Sequence, residues 1–181
     1  MNLDKILEQH KLWLDSEGKE GKRATLKGAD LTDADLRHAD LTDADLTNAN
    51  LTNADLTGAN LTFADLTDAK LTSADLTDAD LRHAYLRNAN LTSADLTSAD
   101  LTGADFTSAD LTDAKLTGAN LTGAYLSDAK LTGADLVDAN LSDANFTGAD
   151  LRNANLTNAD LTDTKLKGAD LTRAIISEKN L

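Results

Sequence analysis

The sequence predicts an all-β solenoid of short coils, preceded by a short α-helix at the N-terminus. From residue 26 to residue 176, every fifth position holds a large apolar side chain, giving 31 centres of which 28 are Leu, two are Phe and one is Ile. Ala stands two positions before 30 of the 31 centres. Residues 1–23 lack this period and instead carry apolar residues at helical spacing. These two patterns divide the chain into a helix and a long repeat.

A period of five fits neither a regular helix nor a flat strand. Five steps along an α-helix advance about 500°, so successive Leu side chains would point to every face. On a strand the side-chain period is two, so an odd repeat would send alternate Leu side chains to opposite faces. A bend in every unit keeps all of them on one side, and the chain therefore coils around an axis.

Each position of the five-residue unit has a physical reason. The residue before the centre is Asp 16 times and Asn seven times, and the residue after it is Thr 21 times. The last position is Asp, Gly, Asn or Ser in 26 units, residue types that favour turns. Ala is small because a narrow tube cannot hold two large side chains per wall. The predicted core is represented by Leu31, Leu51, Leu71, Leu91, Phe106 and Phe146.

With these 31 units the sequence resembles the pentapeptide repeat family, whose pattern is A(D/N)LXX. The resemblance covers residues 24–178 and implies a right-handed quadrilateral β-helix with four units, or twenty residues, per coil. The 31 units would then form about 7.75 coils and a rod about 37 Å long at ~4.8 Å per coil. Residues 179–181 would be a C-terminal tail.

Residues 1–23 are predicted to form an amphipathic capping helix and a linker. The stripe consists of Leu3, Ile6, Leu7, His10, Trp13 and Leu14. Asn2 is the predicted N-cap, and Gly18 and Gly21 are the predicted stop signals. A solenoid needs its open end covered, so we expect Leu7, Trp13 and Leu14 to lie over the first coil. The alternative is a helix that binds a partner.

The C-terminal end has no equivalent cap in the sequence. Ile175 replaces the usual Asp or Asn, and Ile176 and Leu181 add further apolar surface. An uncapped coil exposes backbone edge groups that can pair with another chain. We therefore expect a homodimer that forms through the C-terminal coil.

Charge limits the partners that the chain can bind. The net charge is −14, and residues 24–178 alone carry −15. Like charges repel nucleic acid and anionic lipid, so we expect neither direct nucleic-acid nor membrane binding and favour a basic protein surface. With no apolar run of ~18–20 residues and no secretory signal, a cytoplasmic location is the default prediction.

Residues twenty apart would stack into columns, and one of these columns is acidic. The acidic row consists of Asp35, Asp55, Asp75, Asp95 and Asp135, interrupted by Lys115. It is either a solvated face or a binding surface. The family resemblance implies one specific alternative, an acidic mimic of DNA that binds DNA gyrase and protects it from quinolones. The chain departs from such proteins because it lacks a loop between coils and a C-terminal dimerisation helix.

Other chemistry has weaker signals. The chain has no Cys, and its three His residues are far apart, so we expect no enzyme activity and no cofactor. A ladder of Thr residues suggests ice binding, and pairs such as Asp33 and Asp35 suggest weak calcium binding, but both recur simply because the unit recurs. Tyr85 and Tyr125 replace Asp or Asn on one face, beside Arg87. Together they form a candidate partner patch, for which drift at tolerant surface positions is the alternative.

Overall fold

The computed structural model describes residues 2–177, and α1 is Leu3–Asp15. The side chain of Asn2 caps the helix by accepting the N–H of Lys5 at 3.0 Å. At the other end, Glu17 adopts a φ of 55°, and the N–H of Gly18 donates to the carbonyl of Trp13 at 2.8 Å. This is the Schellman arrangement, in which a left-handed residue follows the cap. Glu17 therefore holds the left-handed position, and the predicted stop residue Gly18 follows it with a φ of 82° and closes the motif.

The rest of the described chain is a solenoid with twenty residues per coil. Parallel bridges join residues twenty apart, from Thr25 with Asp45 to Asp150 with Asp170. The two regular strands, β1 (Asn155–Leu156) and β2 (Ile175–Ile176), pair in parallel with the same offset. Strands stay this short because a corner interrupts every unit after one or two ladder residues. Each coil therefore contains four five-residue units, as expected from the sequence.

Every backbone N–H of a typical unit has an acceptor, and only one of the five acceptors is a side chain. In unit 54–58, four N–H groups donate to backbone carbonyls: Ala54 to Leu51 (3.0 Å), Asp55 to Ala34 (2.9 Å), Leu56 to Asp75 (2.7 Å) and Gly58 to Thr77 (2.9 Å). The N–H of Thr57 donates instead to Oδ1 of Asp55 (3.0 Å). Three of these bonds join neighbouring coils, and the bond from Ala54 closes the corner. The N–H of the Thr position is the donor that the backbone leaves unpaired, and an unpaired donor weakens the fold.

The side chain before the centre supplies this missing acceptor. All 16 Asp and all seven Asn residues in that position accept the N–H two residues later through Oδ1, at 2.9–3.3 Å. Asp and Asn interchange there because both carry an oxygen at Oδ1. We call this contact the wall bond, and the position that provides it the wall position.

The last residue of each unit, the corner residue, makes the bend. All 30 corner residues from Gly28 to Arg173 have φ between 54° and 75°. This left-handed conformation is easy for Gly and tolerated by Asn and Asp, which explains the composition of the position. Phe63 and the two histidines His38 and His83 adopt it as well.

The core is a continuous stack of the centre and Ala side chains. Leu31 is 3% exposed, and Leu51, Leu71, Leu91 and Phe106 are 0% exposed. Phe146 is buried too, at 1%. The packing loosens in the last described coil, where the side chains at the centres are only half-buried: Leu161, Leu166, Leu171 and Ile176.

The wall bond gives a first test at Asn60, whose Oδ1 accepts from the N–H of Thr62 at 3.1 Å and from its hydroxyl at 2.7 Å. We expect Asn60→Ala to lower the free energy of unfolding by about 0.5–1.5 kcal/mol, because the amide loses its acceptor. Urea unfolding monitored by circular dichroism measures this change.

The matched variant is Asn60→Asp, which keeps the acceptor but adds charge between Asp40 and Asp80 in the same column. The loss of stability caused by the added charge should become smaller as salt is added, because salt screens the repulsion. Equal stability of Asn60→Ala and the wild type would show that the wall bond contributes nothing.

Candidate protein-binding surface

The coils align the wall positions into columns, and one column carries the predicted acidic row. Parallel bridges connect its members in the order Asp35, Asp55, Asp75, Asp95, Lys115 and Asp135. We call this set the acidic column. Because each Asp is held at Oδ1 by its wall bond, its carboxylate has a fixed position and direction.

Basic side chains neutralise the acidic column unevenly. Arg37 donates to both oxygens of Asp35, at 2.8 and 2.6 Å, and its Nε lies 3.5 Å from Asp55. Lys115 lies 3.0 Å from Asp95. Among residues 2–177, Asp75 and Asp135 have no ion pair within 4.0 Å. These two carboxylates are the members of the column most available to a cationic partner.

A second surface carries exposed aromatic side chains. Phe63, Tyr85 and Tyr125 are 46%, 48% and 54% exposed. The ring of Phe63 stacks on that of His83, with the centroids 5.2 Å apart and the planes at 14°. Tyr85 and Tyr125 are both bridged to Asp105, which lies between them in their column. We call these five residues the aromatic face.

An ion pair with Asp105 holds Arg87 beside the aromatic face. Its Nε donates to Oδ2 of Asp105 at 2.5 Å, and Asp105 is 9% exposed. Burial raises the pKa of Asp105, but hydrogen bonds from Thr107 and Arg87 outweigh it and hold the pKa below its usual value. The predicted patch of Tyr85, Arg87 and Tyr125 thus lies on one face, and the sequence pattern did not reveal that His83 and Asp105 extend it.

The ring of His83 occupies space beside Gly103, twenty residues further along the chain. A Cβ at Gly103 would lie 2.6 Å from Nδ1 of His83, so a side chain there would require the imidazole to shift. The same contact occurs between His38 and Gly58.

The Thr hydroxyls are mostly engaged within their own units. Thr32, Thr52, Thr92 and Thr112 donate their hydroxyls to Oδ1 of the wall residue at 2.6–2.7 Å. Thr at this position therefore supports the wall bond, and this explains its frequency without a surface ligand.

At the N-terminal end, α1 covers the first coil with part of the predicted set of residues. Leu7 packs against the core as expected, together with Leu3 and Ile6, whereas Trp13 and Leu14 are half-buried and are not among the side chains packed on it. The first turns of α1 therefore provide the cover. An open cleft of about 650 Å³ between α1 and the first coil is lined by Lys5, Lys22 and Arg23, among others.

His10 connects α1 to the solenoid. It is 0% exposed, its Nδ1 accepts the N–H of Ala24 at 3.0 Å, and its ring lies 5.7 Å from that of Trp13 in a stacked arrangement. Burial lowers the pKa of His10, although the negative charge of Asp40 opposes this effect. The neutral ring is thus the acceptor for the first N–H of the repeat, a role that its helical spacing alone did not indicate.

At the C-terminal end, the candidate dimer residues lie on the last described coil. Ile175 is 58% exposed and Ile176 is half-buried. Leu181 lies outside the described residues. Dimer formation through this end stays a prediction.

Two kinds of site are absent from the part of the chain that the structure describes. Within residues 2–177, no group of three or more His, Asp or Glu side chains is arranged to hold a metal ion. No helix in the same range is long and apolar enough to cross a membrane.

The fold and the surface define a repeat solenoid of five-residue units, and comparisons with known proteins agree. The model of the family described as "Pentapeptide repeats" matches the chain with eight copies, at residues 22–58, 34–72, 74–113, 109–147 and 139–177. The chain therefore belongs to the pentapeptide repeat family, whose structures imply a right-handed β-helix solenoid. Members are generally non-enzymatic scaffold or binding proteins. A search of curated protein sequences returned no match.

Solved structures include three instructive relatives. HetL from the cyanobacterium Nostoc sp. strain PCC 7120, a pentapeptide repeat protein involved in the regulation of heterocyst differentiation, is 35% identical over 86% of both chains, with a TM-score of 0.44. Rfr23 from Cyanothece 51142 is 39% identical over 54% of this chain and 64% of its own, with a TM-score of 0.36. QnrB1, a plasmid-mediated fluoroquinolone resistance protein, is 23% identical over 88% of this chain and 87% of its own, with a TM-score of 0.50, and shows the shared fold.

The wall carboxylates predict a fold that loses stability in acid. Hydrogen bonds from Arg37 and Arg152 lower the pKa of Asp35 and Asp150 to about 2, and the Thr hydroxyls lower the pKa of Asp30, Asp160 and Asp170. A lowered pKa in the folded state stabilises the fold above the unfolded value of ~3.9, and this contribution disappears as the pH falls toward ~2.

We therefore expect the melting temperature, measured by circular dichroism from pH 8 to pH 2, to fall steeply between about pH 4 and pH 2. Asp35→Asn/Asp150→Asn should flatten this fall, since Asn keeps the wall bond without titrating. A melting temperature that rises throughout this range, as charge repulsion alone would produce, contradicts the prediction.

Proposed function

We propose that this protein is a non-enzymatic scaffold that binds a basic protein surface through the columns of its solenoid. In this proposal residues 1–23 are the cap and linker, and the repeat that begins at residue 24 forms a body of quadrilateral cross-section. The predicted tail, residues 179–181, lies outside the described residues. A cytoplasmic location remains part of the proposal.

The observation that carries the proposal is the number of oriented carboxylates without a partner. Residues 24–177 contain 25 Asp residues, of which nine form ion pairs within 4.0 Å among the described residues. Sixteen therefore remain free of ion pairs, and seven of these are wall residues that the wall bond orients: Asp30, Asp40, Asp45, Asp65, Asp75, Asp135 and Asp160. Holding so many like charges on a rod opposes folding through repulsion, and Asn at the same position would close the wall bond without this cost, as Asn60 does for Thr62.

The wall bond makes these seven wall carboxylates suitable for binding. It immobilises Oδ1 and leaves Oδ2 to project from the column, so that less side-chain entropy is lost when a cation arrives. Charges stacked about 4.8 Å apart within a column also attract a basic partner from a distance and orient it along the rod.

The proposal predicts salt-sensitive binding of a basic probe. We expect a fluorescein-labelled dodecalysine peptide to bind at about 50 mM salt and to dissociate progressively as salt is added. Asp75→Asn/Asp135→Asn removes the two unpaired charges of the acidic column but keeps both wall bonds, so it should weaken binding without lowering the melting temperature. Fluorescence anisotropy measures the affinity, and an absence of binding by the wild type at low salt would refute the proposal.

A mimic of DNA that binds DNA gyrase is the second candidate, and the acidic column is the observation that favours it. The repeat carries about one net negative charge per 2.5 Å of rod, against about one per 1.7 Å of duplex DNA. A supercoiling assay with and without quinolone tests this candidate. Inhibition or protection by tens of micromolar protein would support it, and unchanged gyrase activity would remove it while leaving the general proposal in place.

A further inference from the structure

The aromatic face collects the exposed aromatic rings of the repeat on one edge of the solenoid. Phe63 and His83 occupy successive corners of one column, and Tyr85 and Tyr125 occupy the wall positions of the adjacent column. The remaining Phe residues, Phe106 and Phe146, are buried in the core. All three exposed Phe and Tyr side chains of the described repeat thus lie in two of its neighbouring columns.

This arrangement lowers local stability at three positions. Phe63 holds a φ of 59°, a left-handed conformation that is unfavourable for a bulky residue. Tyr85 and Tyr125 have no oxygen at Oδ1, so the N–H groups of Arg87 and Ser127 lose the wall bond that Asp or Asn would provide. The four Lys residues at wall positions also lack this bond, but the two Tyr residues add large exposed rings to the surface as well.

The chemistry of the column is suited to a guanidinium group. Its wall residues alternate between acid and aromatic, in the order Asp65, Tyr85, Asp105 and Tyr125. Carboxylates and aromatic rings both attract cations. Arg87 shows that a guanidinium fits here, because its Nε donates to Asp105 at 2.5 Å while the group remains largely exposed. Asp65 has no ion pair among the described residues and is available to a second cation.

We propose that the aromatic face docks an extended, arginine-bearing segment of a basic partner protein. This inference rests on the proposed function and names the surface that gives it specificity. The net charge of −14 favours a basic segment, and the exposed rings provide stacking surfaces that the acidic column lacks.

The spacing of the rings indicates the conformation of the segment. Tyr85 and Tyr125 are two coils apart, which corresponds to about 9.6 Å at ~4.8 Å per coil. In a polyproline II helix, side chains three residues apart lie on the same side at about 9.3 Å. A segment with Arg at every third residue can therefore place one guanidinium on each Tyr ring.

The probe is a labelled twelve-residue peptide with four repeats of Arg-Pro-Pro, measured by fluorescence anisotropy at physiological salt. We expect Tyr85→Ala/Tyr125→Ala to weaken its binding about tenfold, because two cation–π contacts are lost. Tyr85→Phe/Tyr125→Phe keeps both rings and should stay within about threefold of the wild type. Phe63→Asn should weaken binding while the melting temperature holds or rises, since Asn suits the corner.

Two controls separate this surface from general charge attraction. Asn50→Ala/Asn90→Ala changes the same repeat positions two coils apart on another face without changing the charge, and should alter binding by no more than about twofold. A peptide of the same composition with its four Arg residues contiguous should bind more weakly than the spaced peptide.

Equal binding by the wild type and the Tyr85→Ala/Tyr125→Ala variant would overturn the inference, as would equal binding of the spaced and contiguous peptides. If Tyr85→Ala/Tyr125→Ala abolished self-association in light scattering but kept the affinity for the peptide, the aromatic face would bind a second copy of the chain instead. In all three cases binding of dodecalysine would persist, and the proposed function would stand. Loss of all binding to basic peptides at low salt would refute the proposed function itself.

Discussion

One backbone N–H in every unit decides what the sequence of this solenoid can be. Ladder bonds and the corner bond satisfy four of the five N–H groups, and the fifth, on the residue after the centre, depends on the side chain of the wall position. Asp and Asn meet that need with the same oxygen, as Asp55 does for Thr57 and Asn60 does for Thr62. The large negative charge of the protein thus has a structural origin, because the position that closes the hydrogen-bond ladder is most often filled by a carboxylate.

The twenty-residue offset turns this local rule into a surface. Because each wall residue is bridged to the one twenty positions later, a single substitution changes one site in a column and leaves the core unchanged. Lys115 interrupts the acidic column in this way, and Tyr85 and Tyr125 create the aromatic face. Function in such a protein should therefore lie in departures from the repeat, and the departures that reduce local stability are the most informative.

Much of the fold could be predicted from the sequence because a period of five excludes the regular alternatives. The inward Leu and Ala, the bend and the twenty-residue coil all follow from it or from the family resemblance. The wall bond was missed, although the interchange of Asp and Asn was a usable signal for a shared oxygen. The part that Glu17 plays at the end of the helix was also missed, because sequence reasoning assigns its left-handed conformation to Gly.

The candidate site was less predictable for a different reason. Stacking of Phe63 on His83 depends on ring orientation at corners, and the burial of His10 depends on how α1 meets the first coil. Periodicity gives the column and the face of a residue but not the direction of its side chain. Tyr85, Asp105 and Tyr125 share a column by counting in steps of twenty, whereas the ion pair between Arg87 and Asp105 could not be read from the sequence.

The most direct test of this account is a distance between residues far apart in the chain and in the same column. The chain has no Cys, so Lys27→Cys/Lys167→Cys can be spin-labelled without background, and both side chains are exposed. Their 140-residue separation corresponds to seven coils, and pulsed electron resonance should give a narrow distribution centred near 34 Å at ~4.8 Å per coil. A broad distribution, or a mean distance far above this value, would contradict the twenty-residue coil on which every column depends.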